Sequence, residues 1–298
     1  MTSSTSRRRV LPGLPTAASG SGDLLSGIGP GDRWLVAVAH PDDESFGCGS
    51  VIAAAAARGA AVTVACATRG EAGVPAEPVG DGDLGVVRES ELHRAAARLG
   101  VARVELLGWR DSGFDGTPPA GSLCAAPEGA VVGVLERLLR DLRPDVTVVL
   151  DGSDGHRDHL RLRTATATAA RRAARTGPPT RLYEHCLPNS LMRRWLEETR
   201  ASRGDDAYHA LDPAALGRPD AEVTDVLDTR HVLECRTAAM AEHRSQTSPF
   251  DGLSDDLRRA FLTLDHLAAV RLAVAWSEGC ETDPADSYWD FTAARWRR

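Results

Sequence analysis

Short apolar runs alternate with helix-length segments along the first two-thirds of the chain. Asp32 to Ala39 (DRWLVAVA), Ala61 to Ala67, Val104 to Leu107 and Asp145 to Leu150 are rich in β-branched and small apolar side chains. That is the pattern of strands buried on both faces. Between them the spacing predicts helices at Ser45 to Arg58, closed by Gly59, and at Val86 to Leu99, stopping at Gly100. Two more follow at Glu128 to Leu142 and at about Leu160 to Arg175. Alternating strands and helices imply βαβ units, so the expected fold class is α/β, a doubly wound, mostly parallel sheet with helices on both faces. Beyond Pro178 the pattern is less regular. Arg181 to His185 and Glu222 to Leu227 read as strands, the latter at an edge, while Ser190 to Arg203, Thr229 to about Arg244 and Asp255 to Leu267 read as helices. Residues 1–30 read as a disordered leader and 31–298 as a single domain with an insertion near 190–220, whose polar part, 205–219, reads as mobile.

Composition narrows the function classes. The 298 residues carry 35 Lys+Arg and 42 Asp+Glu, a formal net charge of -7. A duplex nucleic-acid binder needs a basic footprint to displace counterions, so that class is not expected. Every Lys+Arg residue is an arginine. The absence of lysine excludes Schiff-base catalysis, pyridoxal phosphate enzymes and the P-loop. No run reaches the roughly 18 consecutive apolar residues of a membrane-spanning helix. Near the start, three arginines precede an apolar stretch, but Pro12, Gly13 and Pro15 break it before a signal-peptide core forms. The six cysteines (48, 66, 124, 186, 235, 280) lie far apart with no CxxC pair, which points to reduced thiols and a cytoplasmic protein.

In a doubly wound fold, sites form at the carboxyl ends of strands, so the residues that leave each strand carry the argument. A dinucleotide fingerprint would follow the first strand. Gly47 and Gly49 supply two of its glycines, but Ile52 takes the third position, and Asp42, Asp43 and Glu44 would repel a pyrophosphate. The turn His40-Pro41-Asp42-Asp43-Glu44 admits two readings. It is either an imidazole and carboxylates arranged for a divalent metal, or acidic groups answering the dipole and free N–H groups of a helix start. A second cluster favours the metal. Asp151 to His159 (DGSDGHRDH) follows the strand at Asp145 to Leu150, and His156 and His159, three apart at a helix start, share one face. Two imidazoles and a carboxylate form a zinc donor set that leaves a position open for water, and ferrous iron accepts the same set.

These residues, AHPDDE at Ala39 to Glu44 and GHRDH at Gly155 to His159, resemble the motifs of the PIG-L/LmbE-like zinc de-N-acetylases. The likeness extends through Thr68 to Glu71, Arg88 to Glu91, Leu99-Gly100, Leu107 to Gly113 and His243 to Gln246, or about residues 33–250. It implies a Rossmann-like sheet and hydrolysis of an N-acyl bond, commonly acetyl, on a small amino sugar or its conjugate. It further implies His40, Asp43 and His159 as zinc ligands and Asp42 as the general base for a metal-activated water. His156 would stabilise the oxyanion or protonate the departing amine, with Asp158 orienting it. Arg88 and Asp111 match family positions that face the substrate, although each also suits a local role, as a helix-start charge and a turn cap. Trp109 would stack on a sugar ring or pack beneath its loop, and His243 would line the pocket. His93, His185, His209, His231 and His266 have no partner pattern and read as structural.

Two substrate groups fit this resemblance. One is a GlcNAc-type glycoside, and the other is an S-conjugate of a glucosaminyl-cysteine thiol, cut by an amidase. A hydratase or lyase using the same metal site is a competing class, distinguished by forming no new primary amine. A non-catalytic metal module is disfavoured, because a structural zinc site is ordinarily closed by four cysteine or histidine ligands.

Overall fold

The structure is a computed structural model and describes residues 24–76, 82–202 and 212–272. In chain order the elements are β1 (Arg33–Val38), α1 (Asp43–Phe46), α2 (Gly49–Ala57), β2 (Ala61–Cys66), α3 (Leu84–Leu99), β3 (Arg103–Leu106), α4 (Glu128–Leu142) and β4 (Val146–Leu150). They continue with α5 (Arg157–Ala173), β5 (Arg181–Cys186), α6 (Asn189–Ser202), β6 (Asp225–Asp228), α7 (Leu233–Met240), α8 (Asp255–Thr263) and β7 (Leu264–Val270). The seven strands form one sheet in the order β3-β2-β1-β4-β5-β7-β6. The first five run parallel, and β7 pairs antiparallel with both β5 and β6.

Period-two alternation along β1 divides the core. Trp34, Val36 and Val38 face one cluster with α2, α3 and α7 residues such as Ile52, Leu92 and Ala239. Leu35 and Ala37 face the other, with Val131 and Leu135 of α4 and Leu162 and Ala169 of α5. A central strand must therefore be apolar at every position, which is why DRWLVAVA reads as a continuous run. A third cluster joins α6 and α8 through Trp195, Leu196, Phe250, Leu257 and Phe261.

Three expectations change. The helix expected over Ser45 to Arg58 is two helices, because the N–H groups of Gly47 and Cys48 both turn back to the Asp43 carbonyl. The helix expected to reach Leu267 ends at Thr263, and β7 begins at once. Leu264 to Val270 is rich in leucine and alanine, so local propensity favours helix, but pairing with β5 and β6 overrides it. The expected leader boundary at residue 30 also moves. Leu24 and Leu25, 2% and 3% exposed, pack into the α2–α3 face of the core. Residues 1–23, 77–81, 203–211 and the tail from 273 lie outside the described residues. Among the described residues no helix is long and apolar enough to cross a membrane, and five cysteines are free.

Candidate active site

β1 has β2 on one side and β4 on the other, so the connections leaving β1 and β4 diverge and leave a crevice between their carboxyl ends. Both motifs emerge there. The β1 turn is tied down by its own carboxylate: Asp43 Oδ2 accepts from the Ala39 and His40 N–H groups at 3.1 and 2.8 Å. Asp42 adopts φ 128°, a conformation that costs an ordinary residue about 1–3 kcal/mol. Several contacts hold it. Its N–H donates to Glu44 Oε2, its carbonyl accepts from Ser45 and Phe46, and Arg88 Nη2 donates to its Oδ2 at 2.9 Å. The same guanidinium donates to the Pro41 and Gly70 carbonyls. Gly70 has φ +67°, and a Cβ there would collide with Arg88.

On the β4 side, His156 is the N-cap of α5, its Nδ1 accepting from the Asp158 N–H at 3.2 Å. His159 follows on the same helix face. Its Nδ1 contacts Asp154 Oδ2 at 2.6 Å, which leaves Nε2 facing Asp43 Oδ2 at 3.2 Å. His40 Nδ1 approaches the same Asp43 oxygen at 3.6 Å. The structure thus brings together the three expected metal ligands, and a carboxylate behind a histidine is the usual support for a metal-binding imidazole. His40, His156 and His159 each offer a nitrogen within 4.8 Å of the others, and His40, Asp111 and Asp158 form a second such group. Nitrogen and carboxylate donors of this kind fit a divalent transition metal.

Burial raises the Asp42 carboxyl to about 6, with the Arg88 charge pulling the other way. Burial, then the charges of His40 and His159, pushes His156 down to about 4. For His159 burial is overcome by the Asp154 and Asp43 carboxylates, which raise it to about 10. Against the effect of burial, His40 holds the Asp111 carboxyl well below the ordinary range.

A cavity of about 880 Å³ opens over these groups. His40, Asp42, Asp43, Arg88, Asp111, His156 and His159 all line it. Three expected residues are placed differently. The Asp158 carboxylate faces His40 Nε2 at 3.3 Å and the Ser112 N–H at 3.0 Å, so it orients His40 rather than His156, which receives only the Asp158 backbone N–H. Trp109 packs against the α4–α5 face of the core and does not line the cavity. His243, 2% exposed, lies behind the turn with Nε2 at 2.6 Å from Glu44 Oε1 and supports the motif from beneath. Sequence reasoning missed Asp154, although it lies in the same DGSDGHRDH run. It also missed Arg157, whose guanidinium donates to the Ser112, Gly113 and Gly116 carbonyls and holds that loop beside the site. Phe114 of the loop meets the His156 ring edge-on, centroids 5.7 Å apart.

Comparison with known proteins places this geometry in context. Residues 35–170 match the PIG-L family, described as GlcNAc-PI de-N-acetylase. A 1D-myo-inositol 2-acetamido-2-deoxy-alpha-D-glucopyranoside deacetylase of Thermomonospora curvata is 35% identical over 255 residues, 76% of this chain and 86% of the relative. Among solved structures, N,N'-diacetylchitobiose deacetylase from Pyrococcus horikoshii has a TM-score of 0.51 at 19% identity, covering 80% of this chain and 84% of that one. GalB, the 4-carboxy-2-hydroxymuconate hydratase of Pseudomonas putida KT2440, has a TM-score of 0.52 at 16% identity, covering 83% and 100%. The fold therefore hosts both hydrolysis and hydration and does not choose between them. Sequence likeness over most of the chain does: this protein belongs to the PIG-L family of de-N-acetylases.

Proposed function

We propose that the chain hydrolyses the N-acetyl group of a 2-acetamido-2-deoxy-glucopyranoside joined to a cyclitol such as inositol, with zinc held by His40, Asp43 and His159. The observation that carries this reading is the meeting of those three side chains with Asp42 and His156 in the lining of one cavity. The substrate named for the relative from Thermomonospora curvata supplies the aglycone. Bound zinc would polarise the acyl carbonyl and make a water reactive near neutral pH.

The chain's own groups account for the rest. Arg88 occupies Asp42 Oδ2, so the other carboxylate oxygen is the one available to take a proton from water and return it to the departing nitrogen. His156 Nδ1 is an acceptor from the Asp158 N–H, so a neutral ring carries its proton on Nε2. That N–H donates to the acyl oxygen as negative charge develops, a contribution of about 10²–10³ in rate for one such donor. Asp154 fixes the His159 ring, and Asp158 fixes His40. Asp111 lines the cavity and suits a sugar hydroxyl.

Amine release tests the reading. Chelator-treated protein is assayed with and without added zinc or ferrous iron on a panel of N-acetylated glycosides and thiol S-conjugates, with a fluorogenic amine reagent as readout. The lysine-free chain gives little background. Amine from the inositol glycoside that depends on zinc supports the proposal; metal-loaded protein that frees no amine from any acyl substrate contradicts it.

A further inference from the structure

The cavity does not end at the catalytic residues. Its volume is near the upper end of the roughly 300–1,000 Å³ common for small-molecule sites. It continues across the strand ends to His185 on β5 and Asp265 and His266 on β7. Register steps these toward the strand ends that carry the catalytic turn: Ala37 of β1 pairs with Val149 of β4, on the next rung Leu150 pairs with His185, and on the rung after it Cys186 pairs with His266. Neighbouring strands lie about 4.8 Å apart, so β7, three strands from β1, stands roughly 14 Å away. That leaves room for a second ring beyond the acetamido sugar.

All three side chains are buried, and their polar atoms are poorly partnered. His185 Nε2 and Asp265 Oδ2 have no hydrogen-bond partner among the described residues. His185 Nε2 stands 3.7 Å from Asp265 Oδ1, beyond hydrogen-bond length. The His266 ring makes no hydrogen bond among the described residues. A buried polar group left so is destabilising, and native chains keep few of them unless a ligand or water completes them. Around them Met192, Trp195, Phe261 and Leu264 supply apolar walls.

Charge narrows the ligand. Arg236 reaches this end of the cavity, but its guanidinium is already taken by the Ser45, Phe46 and Phe261 carbonyls, Ser50 Oγ and Asp265. Burial pushes the His266 imidazole down to about 4, so near pH 7 it is neutral and both donates and accepts. Asp265 stays ionised, because His185 and Arg236 overcome the effect of burial on its carboxyl. Such a wall suits hydroxyl groups and repels a phosphate.

We propose that His185, Asp265 and His266 form a second subsite, which binds an uncharged polyhydroxylated ring, the aglycone of the acetamido sugar, through its hydroxyls. The inference rests on the reading of the chain as a deacetylase of a cyclitol glycoside, and its test separates the two.

The first readout is selectivity. kcat/KM for amine release is measured on the inositol glycoside and on the corresponding methyl glycoside, for the wild type and His266→Phe, which keeps a ring and removes both nitrogens. The preference for the inositol glycoside falls about tenfold in the variant, as expected for a lost hydrogen-bonding group, and His266→Gln restores part of it. An unchanged preference overturns the proposal. The second readout needs no catalysis. Saturation-transfer NMR is recorded on metal-free, full-length protein with myo-inositol or inositol 1-phosphate. Transfer to myo-inositol that disappears in His266→Phe, with none to the phosphate, supports the subsite. No transfer in the wild type, or equal transfer to the phosphate, overturns it. Transfer that depends on His266, combined with no amine from any glycoside, leaves the subsite standing and removes the deacetylase reading. Should His266→Phe fail to fold, His185→Gln takes its place in both measurements.

Discussion

The two ends of the cavity are built on opposite plans. At the β1–β4 end the reacting side chains come from two short stretches, 40–44 and 154–159, and most are fixed by a neighbour. Asp42 is held by Arg88, Asp43 by two backbone N–H groups, and His159 by Asp154. At the β5–β7 end the side chains come from strands distant in sequence, and His185 Nε2 and Asp265 Oδ2 have no hydrogen-bond partner among the described residues. The contrast follows from what each end does. Groups that stabilise developing charge are most effective when they need no reorganisation during the reaction. A wall that recognises hydroxyls acquires its partners only when the ligand arrives.

Substitutions sharpen that contrast. Among residues other than Asp42, the largest expected effect is at His156, where alanine removes both the proposed oxyanion donor and a helix cap. His156→Ala lowers kcat by about 10²–10³-fold, and loss of the cap removes about 0.5–2 kcal/mol of stability; steady-state kinetics and a denaturant melt read the two effects separately. Next is His243→Ala, which takes the imidazole from the buried Glu44 carboxylate and leaves it only the Ser45 hydroxyl and the Asp42 N–H. It costs about 3 kcal/mol in urea unfolding, whereas a pocket residue would act mainly on KM. Asp154→Asn weakens metal affinity about 10–100-fold in a competitive chelator titration, and excess metal restores much of the activity. The smallest effect is at Trp109, where Trp109→Leu costs about 1 kcal/mol of stability through altered packing. Its KM for the inositol glycoside stays at the wild-type value, and a severalfold rise would return Trp109 to the sugar site.

The same division explains what could be read from the sequence. The first five strands and the α4 boundaries were legible because each apolar run is bounded by glycine, proline or charge. The clusters at 40–44 and 151–159 were legible because metal donors at strand ends are chemically distinctive at short range, whereas the choice of His40, Asp43 and His159 as ligands came from the family resemblance. The roles of Asp158 and His243 were not legible. The family resemblance implied that Asp158 serves His156, but the helix turns its carboxylate toward His40, a partner 118 residues away. His243 meets Glu44 across 199 residues, a contact that no local pattern encodes. β7 was missed because leucine and alanine leave local preference with helix, and with it the cluster of His185, Asp265 and His266 went unseen. Only the antiparallel pairing of β5 with β7 assembles that cluster.

The central claim is that Asp42 performs the proton transfers while other residues hold the metal. Metal content and amine release, measured on one preparation of Asp42→Asn, test it most directly. The account predicts wild-type zinc content and amine release lowered about 10²–10⁴-fold. Amine release at the wild-type rate, or a loss of activity that tracks loss of zinc, would contradict it.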